Sequence, residues 1–192
     1  MEIIVVTSNV DKFNEICHML GIYGIKSRRL SVNFAENENT LDEIVVNKAK
    51  QAYKKLKKPL IVDDTGVYFT AYKNFPGPYP KRIFNRLGFA GLLKKLDRKQ
   101  RGAFFKTIIC YIDKNGFKPF DGVMRGKITK NVHEGKRDSL PYERIFISTG
   151  YKEPVCKMSI EKKSKISHRA KAVRKFAKWF ISHSNRTCAS MP

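Results

Sequence analysis

The chain has 192 residues, 42% of them hydrophobic, which is enough for one domain with a filled core and excludes disorder as the default state. Its net charge of +22 favours polyanionic partners such as nucleotides, nucleic acid or an anionic surface, although a merely solvated basic surface fits the even spread of the charges. Without a membrane-spanning apolar run, a signal-peptide pattern or Cys-x-x-Cys spacing, the sequence predicts a cytoplasmic protein with free thiols.

The first third of the chain alternates strands and helices. Residues 2–6 predict an apolar strand, and a helix with Asn9 as its N-cap follows. A second strand is expected within residues 24–32, and residues 39–58 have the apolar periodicity of a helix. After these come a strand "PLIV", an acidic turn and a strand "VYFTAY".

The remainder predicts helices interspersed with a hairpin. A Pro-rich loop leads to two short helices broken near Gly88, and a long hairpin turns at "KNG". Ser167 is the expected N-cap of a terminal amphipathic helix. We therefore predict a single mixed α/β domain over residues 1–185 and a disordered tail over residues 186–192.

The stretch "VDDTG" interrupts the most apolar strand with two carboxylates, Asp63 and Asp64. Its composition is that of a hairpin turn, because Asp side chains bond the local backbone and Gly tolerates positive φ. Adjacent carboxylates at a strand end are also ligands for Mg²⁺, which takes few protein carboxylates and completes its shell with water and phosphate oxygens. A metal site needs a second acidic residue from elsewhere.

Glu43 is the candidate for that second acid, and it too has a structural explanation. The segment from Thr40 to Glu43 fits a capping box, in which Glu43 bonds back to the Thr40 amide. The two roles conflict, since a carboxylate bound to metal is a poorer partner for an amide.

Two further segments carry polar or basic groups at predicted helix starts. Thr7, Ser8 and Asn9 lie in a strand-to-helix loop with Lys12 nearby, an arrangement that suits phosphate but also fits a simple cap. The segment "EKKSKISHR" gathers cations at the start of the last helix, which indicates either an anionic or acceptor-rich ligand or a solvated basic face.

In order along the chain, these segments resemble the inosine triphosphate pyrophosphatase family, in its archaeal type. The matching stretches are "TSNVDKFNE", "TLDEIVVNKA", "VDDTGVY", "FPGPYPKR", "FFKTIICYID" and "EKKSKISHR". One such motif is weak, whereas six in the family's order are specific. The resemblance implies an elongated mixed β-sheet with flanking helices, forming two lobes around a central cleft.

The resemblance also implies a function and a set of site residues. The family hydrolyses deaminated purine nucleotides (ITP, dITP, XTP) to the monophosphate and pyrophosphate with Mg²⁺, and forms homodimers. Glu43 and Asp64 would hold the metal, Asp63 would support Asp64, and Asp64 and Lys12 would be catalytic. Substrate contacts are implied for Thr7, Ser8, Asn9, Lys12, Thr65, Lys81, Leu140, Tyr142, Lys163, His168 and Arg169.

The chain departs from the family pattern mainly around the expected base pocket. Ser8 replaces a usual Gly, Lys157 stands at a usual Glu position, and "SLPYERIF" replaces a stretch in which Leu140 would be Phe and Glu143 would be Asp. Two rival readings stay open on these grounds. One is a catalytically weakened protein that binds nucleotides or nucleic acid, and the other is a hydrolase of another modified nucleotide.

Overall fold

A seven-stranded mixed sheet runs through the molecule in the computed structural model, which describes residues 1–34, 38–135 and 141–189, with side chains through residue 184. The strands are β1 (Glu2–Val6), β2 (Lys26–Leu30), β3 (Leu60–Phe69), β4 (Pro76–Gly77), β5 (Gly102–Asp113), β6 (Gly116–Ile128) and β7 (Phe146–Ser148). Their order is β2-β1-β3-β5-β6-β7, with β4 beside β3. β1 is parallel to β2 and β3, and the other pairs are antiparallel.

Five α-helices flank this sheet and build three clusters of buried side chains. They are α1 (Val10–Gly21), α2 (Leu41–Leu56), α3 (Pro80–Lys95), α4 (Ile160–Ile166) and α5 (His168–Ala189), with 3₁₀ turns at Pro141–Ile145 and Val155–Lys157. α1 and α5 cover one face of the β1–β3–β5 region, and α2 covers the other. α3, β7 and both 3₁₀ turns pack on the far end of the sheet. The expected mixed α/β architecture with two lobes is confirmed.

The predicted turn at the acidic pair is wrong, because β3 is one continuous strand from Leu60 to Phe69. Every residue of β3 is paired with β5, including Asp63 with Ile109 and Asp64 with Ile108. Pairing with a distant strand satisfies the backbone groups that a local turn would otherwise satisfy. The carboxylates therefore lie within the strand rather than at its end.

Most other predicted elements are confirmed. Gly88 has φ 59° and breaks α3, and the hairpin of β5 and β6 turns at residues 114–115. The Ser167 hydroxyl accepts a hydrogen bond from the Ala170 amide at 3.1 Å, as expected of an N-cap. α5 continues to Ala189, into the segment predicted as a tail. Among the described residues, no helix is long and apolar enough to cross a membrane.

Candidate active site

The acidic pair lies at a break in the edge of the sheet. β1 pairs with β3 only as far as Val62, and β4 begins to pair with it at Val67. Residues 63–66 are thus paired with β5 on one side only. The open edge between β1 and β4 lets side chains from both faces of the sheet reach one cleft.

Strand alternation sends the two carboxylates to opposite faces, where each meets cations. Asp63 is on the α1 and α5 face, and its Oδ2 lies 3.4 Å from Nε of Arg169 and 3.3 Å from Nζ of Lys12. Asp64 is on the α2 face, and its Oδ2 lies 2.5 Å from Nζ of Lys48. Lys12 joins the pair, because its Nζ is also 3.6 Å from Oδ1 of Asp64.

These cations keep Asp64 ionised. Burial alone would raise its pKa, but the Lys12 and Lys48 ammonium groups, the Lys48 hydrogen bond and the Thr65 amide hold the pKa below its ordinary value. An ionised carboxylate with two ammonium partners is a site that already binds positive charge. A metal–phosphate complex can replace such partners without a change in the protonation of Asp64.

Lys48 was missed as a site residue, although the sequence carries a signal for it. The residue falls in the apolar stripe of α2, four positions after Ile44 and four before Ala52, both fully buried. Only 12% of its side chain is exposed. A lysine in the buried stripe of a helix needs a carboxylate partner, and the nearest acidic pair in the sequence supplies it.

The loop after β1 closes one end of a cleft of about 770 Å³. Ser8, Asn9 and Lys12 line it together with Lys48 and Asp64. The predicted substrate contacts Thr65, Lys81 and Tyr142 also line this cleft, whereas buried Thr7 lines an adjoining pocket beside β1. Asn9 caps α1 through a 2.9 Å hydrogen bond from the Lys12 amide to its Oδ1, so the cap and the cleft lining are compatible.

Lys163 and Arg169 are held by carboxylates rather than free to face a ligand. Glu15 of α1 accepts from Arg169 Nη1 and contacts Lys163 Nζ at 2.5 Å, and Glu143 contacts the same ammonium at 2.6 Å. Arg169 also donates to Thr65 Oγ1 at 3.3 Å. The side chain of Arg169 is only 1% exposed, so its guanidinium ties α5 to β3 and α1.

His168 has the opposite character, since it is buried without polar partners. Neither Nδ1 nor Nε2 has a hydrogen-bond partner among the described residues. Burial and the neighbouring Arg169 guanidinium lower the pKa of His168 well below its ordinary value, so the ring is neutral. The imidazole lies 5.0 Å, between ring centroids, from Phe105, which lines the cleft.

Glu43 forms the capping box that its sequence predicts. Its Oε2 accepts from the Thr40 amide at 3.1 Å and from the Thr40 hydroxyl at 2.8 Å. Glu43 lines a separate groove along α2, together with Asp42 and Asn47, and not the cleft that contains Asp64. Leu140, predicted to contact the base, lies outside the described residues.

Comparisons with known proteins agree with this fold and site. A model of the Ham1 family matches residues 3–179. The dITP/XTP pyrophosphatase of Methanopyrus kandleri is 33% identical over 94% of this chain and 96% of that protein, and the one of Saccharolobus solfataricus is 35% identical over 95% of each. The inosine triphosphate pyrophosphatase of Yarrowia lipolytica is 34% identical over 91% of this chain and 93% of its own length.

Solved structures support the same assignment at the level of the fold. A HAM1 protein from Coxiella burnetii superposes with a TM-score of 0.80 and 22% identity, covering 95% of this chain and 99% of that one. The Ham1 protein of Staphylococcus aureus gives 0.73 and 21% over 95% and 100%. On the match of the family model and the near full-length relatives, the chain belongs to the Ham1 family.

Proposed function

We propose that the protein is a Mg²⁺-dependent nucleoside triphosphate pyrophosphatase that converts ITP, dITP and XTP to the monophosphate and pyrophosphate. The observation that carries the proposal is the pair of ammonium groups, Lys12 and Lys48, on the Asp64 carboxylate at the edge of the cleft. The names of the relatives, dITP/XTP and inosine triphosphate pyrophosphatases, support the substrate class.

The charge of the cleft suits a triphosphate. Lys12, Lys48, Lys81 and Arg82 line it with Asp64 as the one carboxylate among its lining residues. Preorganised cations stabilise charge that develops in a transition state, because no solvent has to reorganise around it. Hydrolysis at the α-phosphorus places that charge on departing pyrophosphate, so cations on its path lower the barrier.

The reaction needs one water molecule. A water oxygen forms a bond to the α-phosphorus while the bond from that phosphorus to the bridging oxygen of pyrophosphate breaks. The proton of the water passes to Asp64 or to solvent, and the electron pair of the broken bond leaves with pyrophosphate. Asp64 is ionised and can orient that water, whereas Lys12 and Lys48 neutralise the leaving group.

The residues around Asp64 fit Mg²⁺. Asp63 Oδ1 is a buried oxygen without a hydrogen-bond partner in the described part of the chain, and Asp64 Oδ2 accepts a cation already. No group of three or more potential ligands occurs among the described residues, but Mg²⁺ needs fewer, since water and phosphate oxygens complete its shell. Asp64 would hold the ion, and Glu43 would join it on release of its capping bonds. A bound Mg²⁺ supplies charge neutralisation at the phosphate oxygens.

Selection of the base is proposed to rest on His168, with Lys163 and Arg169 behind it. Neutral His168 has two unpaired ring nitrogens, one a donor and one an acceptor. A donor from the protein matches a 6-keto purine and opposes the 6-amino group of adenine, which leaves buried groups unpaired. Lys163 and Arg169 must exchange a carboxylate partner before they contact a base.

We propose a homodimer, supported by a bare part of the sheet. α2 starts at Leu41, and beyond it the half-buried rings of Tyr68 and Phe104 stack with centroids 4.9 Å apart. Arg125 lies over Phe104 at 5.6 Å. Aromatic faces of this kind are typical of interfaces. Light scattering should give a dimer mass for the wild type and a monomer mass for Phe104→Glu.

A reducing, cytoplasmic location is also proposed. Cys17, Cys110 and Cys156 are free thiols in the structure. Unpaired cysteines are typical of compartments in which glutathione keeps thiols reduced.

Hydrolysis in ¹⁸O-labelled water tests the position of attack. The proposal expects the label in the nucleoside monophosphate and none in pyrophosphate, measured by mass spectrometry of both products. Label in orthophosphate or in pyrophosphate would place the attack at another phosphorus and refute the proposed reaction.

A further inference from the structure

The tip of the β5–β6 hairpin carries a solvent-exposed aromatic ring that neither the core nor the cleft uses. Phe117 is 46% exposed, and among the described residues it is the one aromatic in the exposed class. Phe117 is paired with Ile112, whereas Asp64 is paired with Ile108. Four residues of strand separate the two rows by about 13 Å, so Phe117 lies outside the proposed catalytic site.

Lysines lie over aromatic rings on both sides of this tip. Lys50 of α2 has its Nζ 5.2 Å from the centroid of Phe117, and Lys118 has its Nζ 5.3 Å from the ring of Trp179 in α5. Adjacent strand residues point to opposite faces, so Phe117 and Lys118 extend the two contacts around the end of the sheet. We call Lys50, Lys114, Phe117, Lys118 and Trp179 the hairpin-tip patch.

The charges of the patch have no carboxylates to balance them. None of Lys50, Lys114 and Lys118 forms an ion pair with another described residue. The neighbouring carboxylate, Asp113, accepts hydrogen bonds from the Asn115 amide at 2.8 Å and from the Tyr111 hydroxyl at 3.2 Å. Unpaired ammonium groups beside aromatic faces leave the patch ready for an anionic partner.

We infer that the hairpin-tip patch binds single-stranded nucleic acid. Bases stack on aromatic side chains regardless of sequence, and lysines beside them contact the phosphates. A single exposed ring provides little apolar area for insertion into a bilayer. A second copy of the chain would bring like charges together, against a net charge of +22 per chain.

Fluorescence anisotropy with a labelled oligodeoxythymidine that carries no terminal phosphate tests this inference. Phe117→Leu keeps an apolar side chain but removes the π-face, and we expect it to weaken binding at least about fivefold. The double variant Lys50→Gln/Lys118→Gln should reduce the slope of log K against log salt by about 1.4, from about 0.7 per lost phosphate contact.

The matched control is Lys94→Gln/Lys95→Gln, which removes the same charge from exposed positions of α3. The control should keep the wild-type affinity and salt slope. Equal losses in both double variants would show a diffuse basic field and overturn the inference, as would wild-type affinity in Phe117→Leu. Phe117-dependent binding to phosphatidylserine vesicles without oligonucleotide binding would overturn it too. Turnover of ITP should be unchanged in all three variants, so failure here is separable from failure of the proposed function.

Discussion

At the scale of single residues, Lys48 is the side chain whose removal isolates the electrostatic part of the proposed chemistry. Lys48→Gln keeps the length of the side chain near Asp64 but removes its charge. We expect kcat to fall about 100-fold, as when one preorganised electrostatic element is removed. Steady-state kinetics with ITP measure the loss.

Lys54→Gln is the matched control for Lys48, because it changes the same charge on an exposed part of α2. It should leave kcat unchanged. A similar fall in both variants would assign the effect to the overall field of the protein, and wild-type kcat in Lys48→Gln would remove Lys48 from the site.

Glu43 is the residue for which a structural and a chemical role make opposite predictions. Gln can also serve in a capping box, so Glu43→Gln should change the free energy of unfolding by at most about 1 kcal/mol. Because we propose that Glu43 joins Mg²⁺ when substrate binds, we expect kcat to collapse while the fold survives. Denaturant unfolding and turnover at several Mg²⁺ concentrations measure the two effects. Mg²⁺-dependent turnover at the wild-type rate would confine Glu43 to capping.

Residue patterns predicted the acids of the site better than their partners. Asp63, Asp64 and Lys12 were singled out from short motifs, and the structure brings them together. Lys48 was missed because its role depends on α2 packing over β3, a contact that periodicity alone does not pair with a particular strand. The sequence also gives no sign that Lys163 and Arg169 share the carboxylate of Glu15.

At the scale of elements, Glu15 connects three helices. It lies on α1 and binds Lys163 of α4 and Arg169 of α5. Burial would raise its pKa, but Arg169 and Lys163 outweigh burial and lower the pKa to about 2. Loss of its charge leaves two buried cations without this partner, so we expect Glu15→Gln to lower the free energy of unfolding by about 3 kcal/mol at neutral pH.

The pH dependence of stability distinguishes this role from simple packing. Because folding lowers the pKa of Glu15, its stabilisation is complete above the ordinary value of 4.5 and is lost as the pH falls towards about 2. Denaturant unfolding should therefore show wild type and Glu15→Gln converging over that range. Glu153→Gln, from the exposed pair with Lys162, should cost less than about 1 kcal/mol at any pH. A constant difference between wild type and Glu15→Gln would rule out the ionic role.

Helices were more predictable than the central strand, for a physical reason. The amphipathic periods of α1, α2 and α5 are local, and the structure confirms all three helices. The "VDDTG" segment has the composition of a turn, but ten consecutive pairs with β5 keep it extended. A strand that contains turn-forming residues is identified by its long-range partner, and local patterns do not contain that information.

At the scale of the whole molecule, the break in the sheet explains why acids from one strand serve one cleft. β1 and β4 leave residues 63–66 open at the edge of β3, with α1 and α5 on one face and α2 on the other. Cations from both sides then meet at the same place. The family resemblance predicted the two lobes and the cleft, whereas the open edge follows only from strand pairing.

The products and the base preference of hydrolysis test the central claim most directly. With millimolar Mg²⁺, the purified protein should convert ITP and XTP to the monophosphate and pyrophosphate, while ATP and GTP stay largely intact. Unpaired polar groups in a site can impose a discrimination of about 10⁴ in kcat/KM, measured by chromatography of the nucleotides and an assay for pyrophosphate. Release of orthophosphate with a nucleoside diphosphate, or equal turnover of ATP and ITP, would contradict the proposed function.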